Sequence, residues 1–116
     1  MKKEKKINVA ERIGTPSALT QEDGNIIYNE ISSAIKENAH IILDFSQVES
    51  IITPFLNNAI GQLYGTFTSE QITEHLTMRN FPPEKNSTLN IVIANAKNFY
   101  SDKEKFNSVV KEVMNQ

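Results

Sequence analysis

Thr53-Pro54 stands a few residues past the apolar run Ile41-Ile42-Leu43 and its acidic close, Asp44. A hydroxyl at the mouth of a helix that follows a buried strand suits two kinds of chemistry. As an N-cap, Thr53 would accept a hydrogen bond from a backbone N–H of the first turn, worth about 1 kcal/mol. As a phosphoacceptor it would gain about two negative charges, which the helix N-terminus tolerates and a partner's apolar surface does not. The two roles are compatible, and the plain cap is the commoner.

The other reactive side chains form weaker patterns. Asp44 could orient a ligand, although a single acidic residue at a strand end more often closes an Asx-type turn. Ser46 and Ser50 lie in the following loop with no base placed near them by motif and no G-x-S-x-G elbow. His40 and His75 fall in no metal-ligand spacing, and each reads as a neutral surface histidine. Gly14-Thr15-Pro16 offers one glycine where phosphate-cradling loops need several. The absence of cysteine removes disulfides, thiolate metal sites and a thiol nucleophile. We therefore expect no enzyme, no metal and no cofactor.

The elements that must position these residues follow from periodicity. Ile7, Val9 and Ile13 fall on alternate positions and predict a strand, which Gly14-Thr15-Pro16-Ser17 turns away. Thr20 with Asp23 three residues on predicts a capped helix. Its buried stripe would be Ile27, Ile31, Ala34 and Ile35, and its end near Asn38. Ile41 to Phe45 is apolar enough for a strand covered on both faces. Thr53 as N-cap and Pro54 at the next position open a helix that buries Leu56, Ala59, Ile60, Leu63 and Phe67, weakened at Gly65. Phe55 projects near the loop in this reading, either as a partner's anchor or as a cover for the sheet edge. Ser69 and Gln71 suggest a short helical turn through His75, and Leu76 to Asn80 a third strand. Pro82-Pro83 then starts a helix carrying Leu89, Val92, Ala96 and Phe99. Ser101 with Glu104 forms a capping box that opens a last helix with Phe106, Val109, Val110 and Val113 inward.

Strands alternating with helices imply an α/β domain with a small, mostly parallel sheet and right-handed crossovers. Function in such sheets gathers beyond the carboxyl ends of the strands. Here that edge holds Gly14 to Ser17, Asp44 to Thr53, and Arg79-Asn80. The 116 residues suit one domain, read as residues 7–116 behind a disordered basic arm at 1–6. A net charge of −2 provides no field for nucleic acid. No segment approaches the roughly 18 continuous apolar residues of a membrane span, so a cytoplasmic protein is expected.

The segment LDFSQVESIITPFL, residues 43–56, resembles the STAS domains of bacterial anti-anti-sigma factors, in which a strand ending in Asp runs through a small loop into a helix. In those domains an Asp-Ser pair precedes the helix, and a histidine-kinase-like ATPase phosphorylates the serine. Thr53 falls on that serine and Leu56 on the leucine of the family's helix. Ile52 stands where the aspartate would be, and Pro54-Phe55 replaces a small residue and glycine. The chain is more similar still to a STAS-like family of unknown function, through Gly14, Thr20-Gln21-Glu22-Asp23-Gly24, Leu43-Asp44-Phe45, Thr53-Pro54-Phe55-Leu56 and the strand closing on Asn80. The resemblance spans roughly residues 7 to 100. It implies a STAS-like single domain and a non-enzymatic signalling module, in stress response or phage defence. Its partner would be a protein, either a histidine-kinase-like ATPase or an anti-sigma-type regulator, and a homodimer is compatible with it. Partner or ligand contacts are expected at Asp44, Ser46, Ser50, Pro54, Phe55, Asn58, Arg79 and Asn80, with Thr53 as phosphoacceptor. The alternative is a small-ligand or nucleotide-binding module on the carboxyl edge, through Asp44, Thr53, Arg79 and Asn80. A hydrolase using Ser46 or Ser50 ranks last.

Overall fold

The computed structural model describes residues 3–114, with side chains described for residues 3–101. Three parallel strands, β1 (Glu4–Asn8), β3 (His40–Asp44) and β5 (Leu76–Arg79), form a sheet in the order β1-β3-β5. The continuous run Ile41-Ile42-Leu43 occupies the central strand and is buried throughout, as a strand covered on both faces requires. Asn8 pairs with Asp44, and Asp44 with Arg79, so the three carboxyl ends finish level.

The strand expected over Ile7 to Ile13 is two elements. β1 starts at Glu4, inside the segment expected as a disordered arm, and α1 (Val9–Ile13) follows it directly. Asn8 causes the switch: its side-chain oxygen accepts from Glu11 N at 3.1 Å and caps the helix. Val9 and Ile13 lie four apart, a spacing that fits a helix as well as a strand, so alternation alone could not separate them. Gly14, at φ 81°, ends α1 in the left-handed conformation that glycine adopts without strain.

A second, two-residue ladder joins β2 (Ser17–Ala18) to β4 (Ser50–Ile51) in parallel. Pro16 O accepts from Glu49 N at 2.8 Å, and Ala18 O from Ile52 N at 3.1 Å. The two loops at the carboxyl edge are thereby tied into one rim. Helix α2 (Gln21–Lys36) begins as the sequence predicts, with Thr20 Oγ1 accepting from Asp23 N at 3.1 Å. It buries Ile27, Ile31, Ala34 and Ile35. Its closest neighbour is α3 (Thr53–Ala59), which crosses at Gly24.

After α3 a tight helical turn over Gly61–Gly65 leads to α4 (Ser69–His75). Thr68 and Gln71 cap α4 reciprocally, one residue earlier than Ser69 would suggest. A short turn at Pro83–Lys85 then precedes α5 (Asn86–Met114), a single helix that runs through Ser101 without a break. The expected capping box at Ser101 is not used, because a serine inside a helix costs well under about 1 kcal/mol and neither glycine nor proline interrupts this stretch. The expected inward positions Phe106, Val109, Val110 and Val113 lie outside the residues whose side chains are described. Leu89 and Val92 bring the first half of α5 onto the core.

Candidate functional site

The carboxyl edge of the sheet carries two neighbouring groups of side chains. In the first, Asp44 Oδ1 accepts from Ser46 N at 2.9 Å, the Asx turn expected of an acidic strand end, and from Asn80 Nδ2 at 3.0 Å. Asn80 holds a left-handed backbone, φ 59°, directly after β5. Phe45 N donates to Arg79 O at 2.9 Å and keeps the loop after β3 on that corner. The Asn80 amide, then the Ser46 amide and hydroxyl, and last the nearby Arg79 charge, hold the Asp44 carboxyl below its usual range. Asp44, Arg79 and Asn80 line a basin of about 360 Å³ with Lys6, Asn8 and Glu11. Three of the four contacts expected for a carboxyl-edge ligand therefore meet. Lys6, Asn8 and Glu11 were not foreseen, since they become rim residues only because β1 ends at Asn8.

The second group surrounds the start of α3. Thr53 is not the N-cap. Ile52 O already accepts from Leu56 N at 3.2 Å, so Ile52 is the cap and Thr53 the first helical residue. The β2–β4 ladder decides this, because it holds Ile52 extended, with its N–H spent on Ala18 O. The Thr53 side chain consequently makes no capping bond and is exposed, as is Pro54. Leu19 and Ile52 directly follow the last ladder pair, Ala18–Ile51, and both are exposed, at 40% and 41%. Two large apolar side chains are thus exposed just beyond the ladder, and one of them, Ile52, directly precedes Thr53. Neither was singled out as exposed in the sequence, since either could equally have been a core residue.

The remaining expected site residues separate. Phe55 is fully buried in the core, so it is not an exposed anchor for a partner. With Ile52 as cap it sits one position further into the helix, on the side facing α2. Asn58 is engaged in the α2–α3 seam, donating to Asn25 Oδ1 at 3.1 Å beside Gln62, which donates to the same oxygen at 2.8 Å. Ser46 and Ser50 are exposed on the loop and in β4, with no histidine beside them in any hydrogen bond. Both histidines lie at the opposite end of the sheet. His75 is a core residue, 6% exposed, and its Nδ1 donates to Ala39 O at 2.7 Å. This corrects the expectation of a surface residue. His40 Nδ1 donates to Glu74 O at 3.1 Å, and its Nε2 meets Thr77 Oγ1 at 2.8 Å. Among the described residues no group of three His, Cys, Asp or Glu could hold a metal ion, and no helix is long and apolar enough to cross a membrane.

The model of a family described as a STAS-like domain of unknown function (DUF4325) matches residues 23–86, more than half of the chain. The chain belongs to this STAS-like family. Comparison with curated proteins and with solved structures returns no match. The matched segment runs from the first turn of α2 to the start of α5. It contains Asp44, Ile52, Thr53, Arg79 and Asn80. Lys6, Asn8, Glu11 and Leu19 lie before it, so part of the rim around this STAS-like domain comes from outside the matched segment.

Proposed function

We propose that this STAS-like domain is a non-enzymatic regulatory module that binds a protein partner at the start of α3. The observation that carries the reading is the pairing of exposed Leu19 and Ile52 beside exposed Thr53 and Pro54. Apolar side chains on backbone that leads directly out of a hydrogen-bonded ladder give a partner a surface to desolvate at little ordering cost. The partner class is the one implied by the resemblance to anti-anti-sigma domains, a histidine-kinase-like ATPase or anti-sigma-type regulator. Phosphate on Thr53 would place charge beside the exposed Ile52 and weaken the complex. An uncommitted Thr53 hydroxyl favours this switch, because modification breaks no cap.

The experiment compares affinity capture by wild type, Ile52→Asp and Thr53→Glu, with mass spectrometry of the partners and of the peptide containing Thr53. Recovery of a histidine-kinase-like ATPase by wild type and its loss with Ile52→Asp supports the module. Equal recovery by Thr53→Glu removes the switch. Equal recovery by Ile52→Asp removes the docking surface.

A second reading is favoured by one observation, the basin shared by Lys6, Asp44, Arg79 and Asn80. The cations Lys6 and Arg79 beside the carboxylates Asp44 and Glu11 and the Asn80 amide offer both donors and acceptors to a small polar ligand such as a nucleotide. Titration calorimetry with nucleotides on wild type and Arg79→Ala tests it; no heat with wild type would discard it.

A further inference from the structure

A cleft of about 470 Å³ lies on the side of the domain where the turn after Gly61 and the start of α4 face α5. Its size is in the range of small-molecule sites and exceeds what a bare ion needs. Three aromatic side chains, Tyr64, Phe67 and Tyr100, line it. Tyr100 lies so close to Gly65 that a Cβ there would come within 2.4 Å of its ring. The absence of a side chain at Gly65 is thus what lets α5 bring the Tyr100 ring to the cleft.

The polar lining has one sign. Among the described residues that form the cleft, Lys97 is the one charged side chain and none is a carboxylate. Its Nζ sits 5.7 Å from the centre of the Tyr64 ring, a cation–π contact that holds the ammonium at the wall. The hydroxyls of Ser69 and Ser101 line the same space and make no hydrogen bond among the described residues. Thr66 is anchored by a hydrogen bond between its Oγ1 and Tyr28 OH at 3.2 Å. Burial pushes the Tyr64 phenol up, so it stays protonated and can act as a donor. The cleft thus offers donors and one positive charge, on a chain whose net charge is −2.

We propose that this cleft binds a small molecule that joins an aromatic ring to an oxyanion, the oxyanion on Lys97 and the serine hydroxyls and the ring against Tyr64 and Tyr100. A charge-assisted bond to ammonium anchors the anion, and offset or edge contacts with the tyrosines hold the ring. The site shares no residue with the start of α3 or with the Asp44 basin, and it does not rest on the partner-binding reading.

The test titrates the isotope-labelled full chain with phenyl phosphate, benzoate, inorganic phosphate and phenol, reading backbone amide shifts by NMR. The expected result is that phenyl phosphate or benzoate shifts the amides of Gly65, Thr66 and Lys97 and binds at least about tenfold more tightly than phosphate or phenol. Whichever of the two binds more tightly names the oxyanion as phosphate or carboxylate. Lys97→Ala, at an exposed position that the fold does not need, weakens that binding about tenfold, and Lys97→Arg restores most of it. Unmoved amides at these positions, equal binding of the isolated fragments, or Lys97→Ala binding like wild type would each overturn the proposal.

Discussion

Replacing Gly24 by alanine sets two effects of opposite sign against each other. Gly24 occupies the first turn of α2, where helix propensity alone favours alanine by about 1 kcal/mol. The Cβ added there would lie 2.6 Å from Phe55 O, 2.9 Å from Asn58 Cβ and 3.2 Å from Ala59 N. Two of these atoms are backbone of α3 and the third is fixed to it, so no side-chain rotation relieves the overlap. Reaching an ordinary separation of about 3.5 Å requires α3 to retreat by about 1 Å. Overpacking against such an obstacle costs toward the top of the ~1–3 kcal/mol range. Packing therefore wins, and the net loss is about 2 kcal/mol after the propensity gain. Urea unfolding followed by circular dichroism measures it. With a slope of roughly 1–3 kcal/mol per molar for a small domain, the midpoint should fall by about 1 M. A Gly24→Ala midpoint equal to or above that of wild type would refute the close crossing of α2 and α3 and the reasoning built on it.

Three further outcomes follow from the site. Thr53→Ala should leave the urea midpoint within about 0.5 kcal/mol of wild type, since no cap bond is lost, whereas Thr20→Ala should cost about 1 kcal/mol by removing the bond to Asp23 N. Phe55→Ala should destabilise by about 3–5 kcal/mol, as a fully buried ring does and an exposed partner anchor would not. Asp44 has a lowered pKa in the folded state, so between the folded and unfolded values the unfolded chain binds more protons and stability rises with pH. Its contribution is complete above the unfolded value and is lost as pH falls through the folded one. Asp44→Asn should therefore lie below wild type at neutral pH, with the gap narrowing in acid, when urea midpoints are compared across the acid limb.

Local signals carried over wherever one interaction within a few residues decided the outcome. Thr20 and Asp23 are three apart and form their cap unaided, and Ile27, Ile31, Ala34 and Ile35 mark their own stripe. The run Ile41-Ile42-Leu43 announced a central strand because no half-exposed position tolerates so much apolar surface. The Asx turn at Asp44 followed from the residue type and its place at a strand end. At Val9 and Ile13 the same chain supported two periods, and the Asn8 side chain broke the tie. At Ser101 a locally sound capping signal was overridden by a helix that had nothing to stop it.

What the sequence determined by itself was the α/β order, the parallel sheet and the location of the rim, because periodicity and capping act over a few residues. The tertiary structure decided what that rim presents. The β2–β4 ladder, formed between residues more than thirty apart in the chain, moved the N-cap of α3 to Ile52 and freed Thr53. Just past its ends, Leu19 and Ile52 are exposed. The crossing at Gly24 sank Phe55 into the core, and the docking of α5 across Gly65 closed the cleft around Lys97. Each depends on which surfaces meet, and that is set by packing between distant segments.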